Sequence, residues 1–389
     1  MDTRTLLLIL GITLVAGYLT WIPVHAGYTH AQENGNVFNG FDFTEDSQAY
    51  AGYIHSGVEE NVLLLQDYST SEEQEPVYIV LLFSLLAFIV KLGNIPIDLV
   101  WHASRFAIAL FLGLCAYTLS TVLFKKNQER MIGIVLLFFG GGFGWTQGIF
   151  GEAIPLLARL QSTDLVYYLG YTVFGFLFHP LAMLSLAFLF LEAYFLLRFW
   201  EKPTLRLSSA AALMGLLAFF NHPAAGVLGL GLGGLVLAQW FIQSTHFTRI
   251  SLQSRIPFLL PAIAAGIITL LYVVWARGEP VYLYHQTIYT EWARQEPIWM
   301  YPFALGIPLL AALVAIFTRA RFDSPRVERV LLTWLALALV LANFFPAGVK
   351  YLYLIFPALI WFAVLGIRLL ATKLSARLSF FTPKQWMAL

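Results

Sequence analysis

The sequence predicts an all-α protein, a polytopic bundle of transmembrane helices forming one integral-membrane domain over residues 1–389. Three observations predict it. Hydrophobic residues make up 59% of the chain and charged residues only 12%, where a soluble domain carries about 25% charged. Apolar runs long enough to be candidate spans recur from end to end. The few charges are segregated: no lysine or arginine lies between Arg4 and Lys91, whereas Gly27 to Glu75 carries ten acids.

The first apolar run, 5–25, ends at Val24-His25-Ala26, which looks like a signal-peptidase site. The run is long for a signal sequence, and Met1-Asp2-Thr3-Arg4 is barely basic. It reads as an uncleaved first helix. The acidic loop 27–76 follows. Further spans are expected near 99–124, 131–150, 167–198, 207–221, 223–243, 256–276, 301–318, 330–345 and 350–371, about ten in all with the first. Segments 207–221 and 330–345 fall short of the roughly 20 residues that a bilayer core needs. Their ends at Asn221 and Pro346 are expected to stop below the membrane surface and leave a cavity there.

Segment 77–92 is ambiguous, and charge resolves it. If it does not cross, 17 of the 23 lysines and arginines share the side of the N-terminus. Sixteen of the 22 acids then share the other side. The positive-inside rule favours that arrangement. Segment 77–92 is therefore expected to be an interfacial or re-entrant helix. The expected location is the plasma (inner) membrane, multi-pass, with a cytoplasmic N-terminus. The acidic loop, 151–166, the Asn221-His222-Pro223 turn and the later loop 277–300 would then be extracytoplasmic.

Composition also excludes. A net charge of +1 gives no electrostatic case for nucleic acid. Cys115 is the single cysteine, so no internal disulfide can form. No nucleotide-binding glycine loop is present, so ATP-driven pumping is not expected. The 33 Phe, 18 Tyr and 11 Trp suit lipid contact and interfacial belts. No fixed-period repeat or inverted duplication is visible.

The candidate site residues lie on the acidic side. Asp46 and Tyr50 are four apart, with Glu45 adjacent, and share a face on a short helix. A carboxylate there can act as general base or be one of several solvated acids. Asp164, with Glu152 in the loop before it, is a second candidate carboxylate or a helix-start acid. His179-Pro180 and His222-Pro223 place two histidines in the outer half of the membrane. Each can also be a bonded histidine at a proline turn. With Asp46 and Asp164 they make a conceivable divalent-metal set, though no ligand spacing supports it. No other cofactor is indicated. Arg105 and Lys350 lie nearest the outer ends of spans and suit a lipid phosphate or snorkelling to headgroups. Loop 277–300 mixes carboxylates with Tyr284, His285 and other aromatics. Such a mixture suits sugar recognition or an interfacial belt.

Three stretches resemble the GT-C superfamily of polytopic glycosyltransferases, such as protein O-mannosyltransferases and aminoarabinose transferases. The first is Phe41-Asp42-Phe43-Thr44-Glu45-Asp46-Ser47-Gln48-Ala49-Tyr50, early in a large loop after one span. The second runs from Glu75-Pro76-Val77-Tyr78 through Gly93 to Trp101-His102-Ala103-Ser104-Arg105-Phe106. The third is Lys350-Tyr351-Leu352-Tyr353-Leu354-Ile355-Phe356-Pro357. The resemblance covers roughly 1–125 and 340–371. The acid pair is Glu-Asp where the mannosyltransferases have Asp-Glu, and Lys350 stands where arginine is common.

The resemblance implies a GT-C-like fold and a polyprenyl-phosphate sugar donor. It implies a lipid, glycan or protein acceptor and inversion at the sugar. Asp46 would be the catalytic acid of the first loop, and Arg105 and Lys350 would contact the donor phosphate. Asp164, Glu152, His179 and His222 would complete the pocket. The rival readings are a transporter or lipid flippase, which predicts internal symmetry, and a GT-C relative without activity. The topology has its own test. Single cysteines in 125–130 should label from the side opposite to cysteines in 27–76; labelling from the same side would make 77–92 a span.

Overall fold

The computed structural model describes residues 1–36, 38, 45–68, 72–142, 179–247, 252–292, 301–318, 320–345 and 348–377. Among them are thirteen α-helices and no strand; the one isolated bridge joins Leu65 and Tyr78. The helices are α1 Thr3–Glu33, α2 Glu45–Glu59, α3 Leu81–Gly93, α4 Ile97–Leu123 and α5 Asn127–Phe139. After the next described residue, His179, come α6 Pro180–Glu201, α7 Leu205–Phe219 and α8 Pro223–Phe247. Then follow α9 Leu260–Ala276, α10 Pro280–Trp292, α11 Tyr301–Phe317, α12 Pro325–Phe344 and α13 Ile355–Arg377. Residues Gly348–Leu354 form a 3-10 segment leading into α13.

Local chemistry sets many of these starts. Asp2 caps α1, its Oδ1 accepting the Thr5 amide at 2.7 Å. Thr204 caps α7. Helices α6, α8, α10 and α12 each begin on proline, whose fixed φ suits the first helical position and whose missing N–H costs nothing there. Within α1 the hydroxyls of Thr13 and Thr20 donate to carbonyls of their own helix, so they can face a dry interface.

Among the described residues six helices are long and apolar enough to cross a membrane: α1, α4, α6, α8, α12 and the segment Lys350–Ser375 containing α13. A seventh crossing is available if α9 and α10 count as one broken span, bent by 104°. Helices α3 and α7 and the stretch Ala304–Phe317 are apolar but shorter. At about 1.5 Å per residue, the 15 residues of α7 cover only about 22 Å. The protein is thus an all-helical membrane protein.

The boundaries differ from expectation in three informative places. Helix α12 starts at Pro325, not 330, and reaches 20 residues. Its first turn is polar, with Glu328 paired to Arg321, so hydropathy alone misses it. Helix α1 runs on to Glu33 through a polar last turn in which Tyr28 donates to Asp98 at 2.8 Å. Much of the expected loop 277–300 is helix α10, begun by Pro280 and capped by Glu279, whose Oε1 accepts the Val281 amide.

Contacts order the bundle. Helices α1 and α4 are antiparallel: Asn127, just past α4, donates to Thr5, Phe106 packs on Gly17, and Asp98 meets Tyr28. The chain between them therefore leaves and re-enters the bundle at one end. Helix α2 is too polar to span, and α3 has only 13 residues. At the opposite end Lys125 pairs with Asp323, and Arg368 reaches both Glu129 and the Arg321 carbonyl. Arg326 there donates to the Trp200 carbonyl. Lys125, Arg321, Arg326 and Arg368, four of the basic residues that the charge count groups together, meet at this end.

Two glycines of α11 and α13 permit close packing. Gly306 breaks α11 with φ +51, beside the Gly141 carbonyl. Gly366 of α13 lies so close to α11 that a Cβ there would sit 1.9 Å from the Ala311 carbonyl oxygen. Gly366→Leu should therefore destabilise the fold by about 3 kcal/mol through overpacking. Denaturant titration in mixed micelles measures this, and an unchanged midpoint would refute the close crossing.

Candidate functional site

The candidate residues gather at the end of the bundle where α1 finishes and α4 starts. Helix α3 arrives there first. Its leading amides have no partner within their own helix. Leu81 N–H donates to the Phe220 carbonyl at 3.0 Å and Leu82 N–H to Asn221 Oδ1 at 2.8 Å. The turn between α7 and α8 therefore seats α3, and Asn221 is only 3% exposed.

Helix α2 then packs on α3. Residues 46 and 50 lie on one face of α2, as their spacing predicts. Tyr50 packs among Phe83 (5.2 Å between ring centroids), Trp101 (5.7 Å) and His179 (6.2 Å). The side chains of Glu45 and Asp46 lie outside the described residues, as do Glu152 and Asp164 entirely.

His179 immediately precedes α6 and is buried. His222 sits in the α7–α8 turn, its Nδ1 2.9 Å from Tyr353 Oη. Both Lys350 and His179 lie within electrostatic reach of His222. The His-Pro pairs thus converge, and Lys350 joins them through the 3-10 segment that also carries Tyr353. Tyr353 was not among the expected residues; its signal in the sequence was its place three residues after Lys350.

Arg105 lies one turn beyond Trp101 on α4 and is 4% exposed. Its Nη1 is 3.1 Å from His102 Nδ1, and its Nη2 donates to the Thr20 carbonyl at 3.3 Å. Guanidinium can only donate, so His102 accepts on Nδ1 and holds its proton on Nε2. The His102 ring meets Trp21 edge to face at 4.9 Å. Both of these Arg105 contacts are to neutral groups.

A second cluster lies on the same end, and no local sequence pattern pointed to it. Asp67, one of the ten acids of the first loop, is 2% exposed. Its Oδ2 is 3.0 Å from His285 Nδ1, and Tyr78 Oη is 3.1 Å from the same nitrogen. Carboxylate only accepts, so Nδ1 carries the proton and shares it between the two oxygens. Burial and the neighbouring Asp67 charge hold the Tyr78 phenol well above its ordinary range. Gln74 braces Asp67, accepting from its amide and donating to its carbonyl. Glu279 accepts the Glu75 amide at 3.2 Å, and the Tyr272 hydroxyl bridges Val77 and Ile79. The second half of the first loop is thereby stitched to the α9–α10 elbow. Tyr284 is 64% exposed and borders the second cluster, its ring 6.4 Å from that of His285.

Aromatic rings join the clusters. Tyr78 meets Tyr53 at 5.3 Å, Tyr53 stacks on Phe83 at 5.7 Å, and Phe83 meets Tyr50. Among the described residues no group of three His, Cys, Asp or Glu stands in metal-binding arrangement.

No family model and no curated protein sequence matches the chain. Geometry alone therefore carries the reading of this end of the bundle.

The Asp67–His285 pair makes a direct prediction. His285→Phe removes the imidazole N–H that the buried Asp67 carboxylate accepts and should cost about 2 kcal/mol. Proteolysis within 61–80 should accelerate with it. Asp67→Asn should be less than additive with His285→Phe, and strict additivity would mean that the two residues do not interact.

Proposed function

We propose that this protein is an integral-membrane glycosyltransferase using a polyprenyl-phosphate sugar as donor. One observation carries the proposal. Helix α2, which bears Asp46, is anchored by Tyr50 onto Trp101 and His179, at the end of the bundle that also holds Arg105, His222 and Lys350. The polar helix that carries Asp46 thus lies at the same end of the bundle as buried aromatic groups and the side chains of Arg105 and Lys350. Such an arrangement suits transfer from a lipid phosphate to a hydroxyl.

In this reading the end of the bundle with the acidic loop is extracytoplasmic, and the donor enters laterally from the bilayer. Asp46 removes or orients the proton of the acceptor hydroxyl. That oxygen attacks the anomeric carbon, the bond from carbon to phosphate oxygen breaks, and polyprenyl phosphate leaves with the electron pair. Arg105 and Lys350 stabilise its charge. One displacement inverts the sugar. Asp164 and Glu152 are proposed to complete the pocket with the two histidines.

Two broken helices, the α9–α10 elbow and α11 at Gly306, favour a second reading as a transporter or lipid flippase. Labelled lipid-linked sugars separate the two. Transfer to an acceptor, reduced at least about 100-fold by Asp46→Asn, is expected for the transferase. Equal transfer by the wild type and Asp46→Asn would remove Asp46 from the mechanism. Sugar movement across liposomes without transfer would favour the transporter. Lys350→Gln should weaken use of the donor while leaving the fold intact, read as a higher KM for the lipid-linked sugar.

A further inference from the structure

Glu192 sits in the body of α6, far from either cluster, and is 1% exposed. Its carboxyl fills a niche made by glycines of two neighbouring helices. A Cβ on Gly229 of α8 would lie 2.5 Å from Oε2, and one on Gly233 2.9 Å from Oε1. A Cβ on Gly215 of α7 would lie 3.3 Å from Oε1. Any larger residue at these three positions would press on the carboxyl. Oε2 is buried and meets no hydrogen-bond donor.

Among the described residues no cation pairs with it. The helices packed on α6 are α4, α7, α8 and α12. Helix α7 brings only Arg206, in its first turn, and α8 only His246, in its last turn. Helix α12 brings Arg326, Glu328 and Arg329, all in its first turns. On α4, Cys115 lies near the same level, one turn beyond the Phe111 that meets Phe188 of α6. The remaining α4 groups are Asp98, His102 and Arg105 near its start and Tyr117, bonded to Asn127. Among the described residues none of these makes a hydrogen bond or ion pair with Glu192. An unpaired carboxylate in such surroundings costs many kcal/mol, and the group neutralises instead. Intramembrane acids of this kind mark functional positions.

We propose that Glu192 is an intramembrane proton-binding site whose neutral acid form is required for α6, α7 and α8 to close together. Proton loss would leave a bare charge among three glycines and part α7 from α8. Those two helices meet at the Asn221-His222 turn, so the proton state of Glu192 is coupled to the end of the bundle that seats α3. The proposal is independent of the transferase reading.

Infrared spectroscopy of the full-length protein in lipid nanodiscs tests it. At pH 7 the wild type should show the carbonyl stretch of a protonated, weakly hydrogen-bonded carboxylic acid. Glutamate-specific carbon-13 labelling should shift the band, and Glu192→Gln should abolish it. If the band is missing at pH 7, or persists unchanged in Glu192→Gln, the proposal falls. Should Glu192→Gln fail to fold, Glu192→Asp provides the second variant, and the band should then move with aspartate labelling instead.

Gly229→Ala should displace the carboxyl and shift the infrared band; an unshifted band would show that the niche does not hold it.

Discussion

Two backbone amides hold the candidate site together. Leu81 and Leu82 open α3, where a helix cannot satisfy its own N–H groups, and they bond to Phe220 and Asn221 instead. Beside a membrane such groups cannot be left bare. The bonds fix α3 to the α7–α8 turn. Helix α2 packs on α3, and Tyr50 of α2 reaches Trp101 and His179. The same turn carries His222, and through Tyr353 it touches the segment of Lys350. Remove that docking and the first loop loses its register against the bundle.

The rest of the loop is held by different physics. Asp67, Tyr78 and His285 form a buried polar knot, and Glu279 and Tyr272 bind the adjacent backbone. The α9–α10 elbow is thus tied to the loop by polar bonds, while the α2–α3 pair is held mainly by apolar packing. Rings from Tyr78 to Tyr50 span the two regions.

The sequence carried the local features. Its charge asymmetry already grouped Lys125, Arg321, Arg326 and Arg368, and the ion pairs place them at one end. Four helices begin on proline, among them two, at Pro280 and Pro325, where the sequence reading set no start. The spacing of Asp46 and Tyr50 put both on one face of a helix, and the shortness of the segment around 207–221 was visible in advance. Hydropathy failed where charge entered a helix end, as in the first turn of α12. It also failed where an aromatic, polar stretch formed α10.

By itself, then, the sequence determined a helical membrane protein with one acidic and one basic end. Those properties follow from solvation of backbone and charge, which acts residue by residue along the chain. Only the tertiary structure decided that Asp67 meets His285 and that Glu192 lies among Gly215, Gly229 and Gly233. Tyr78 and His285 are 207 positions apart, and no local periodicity encodes their contact. Such pairings depend on which helix faces meet, and those are chosen by the fit of whole helices, not by any one segment.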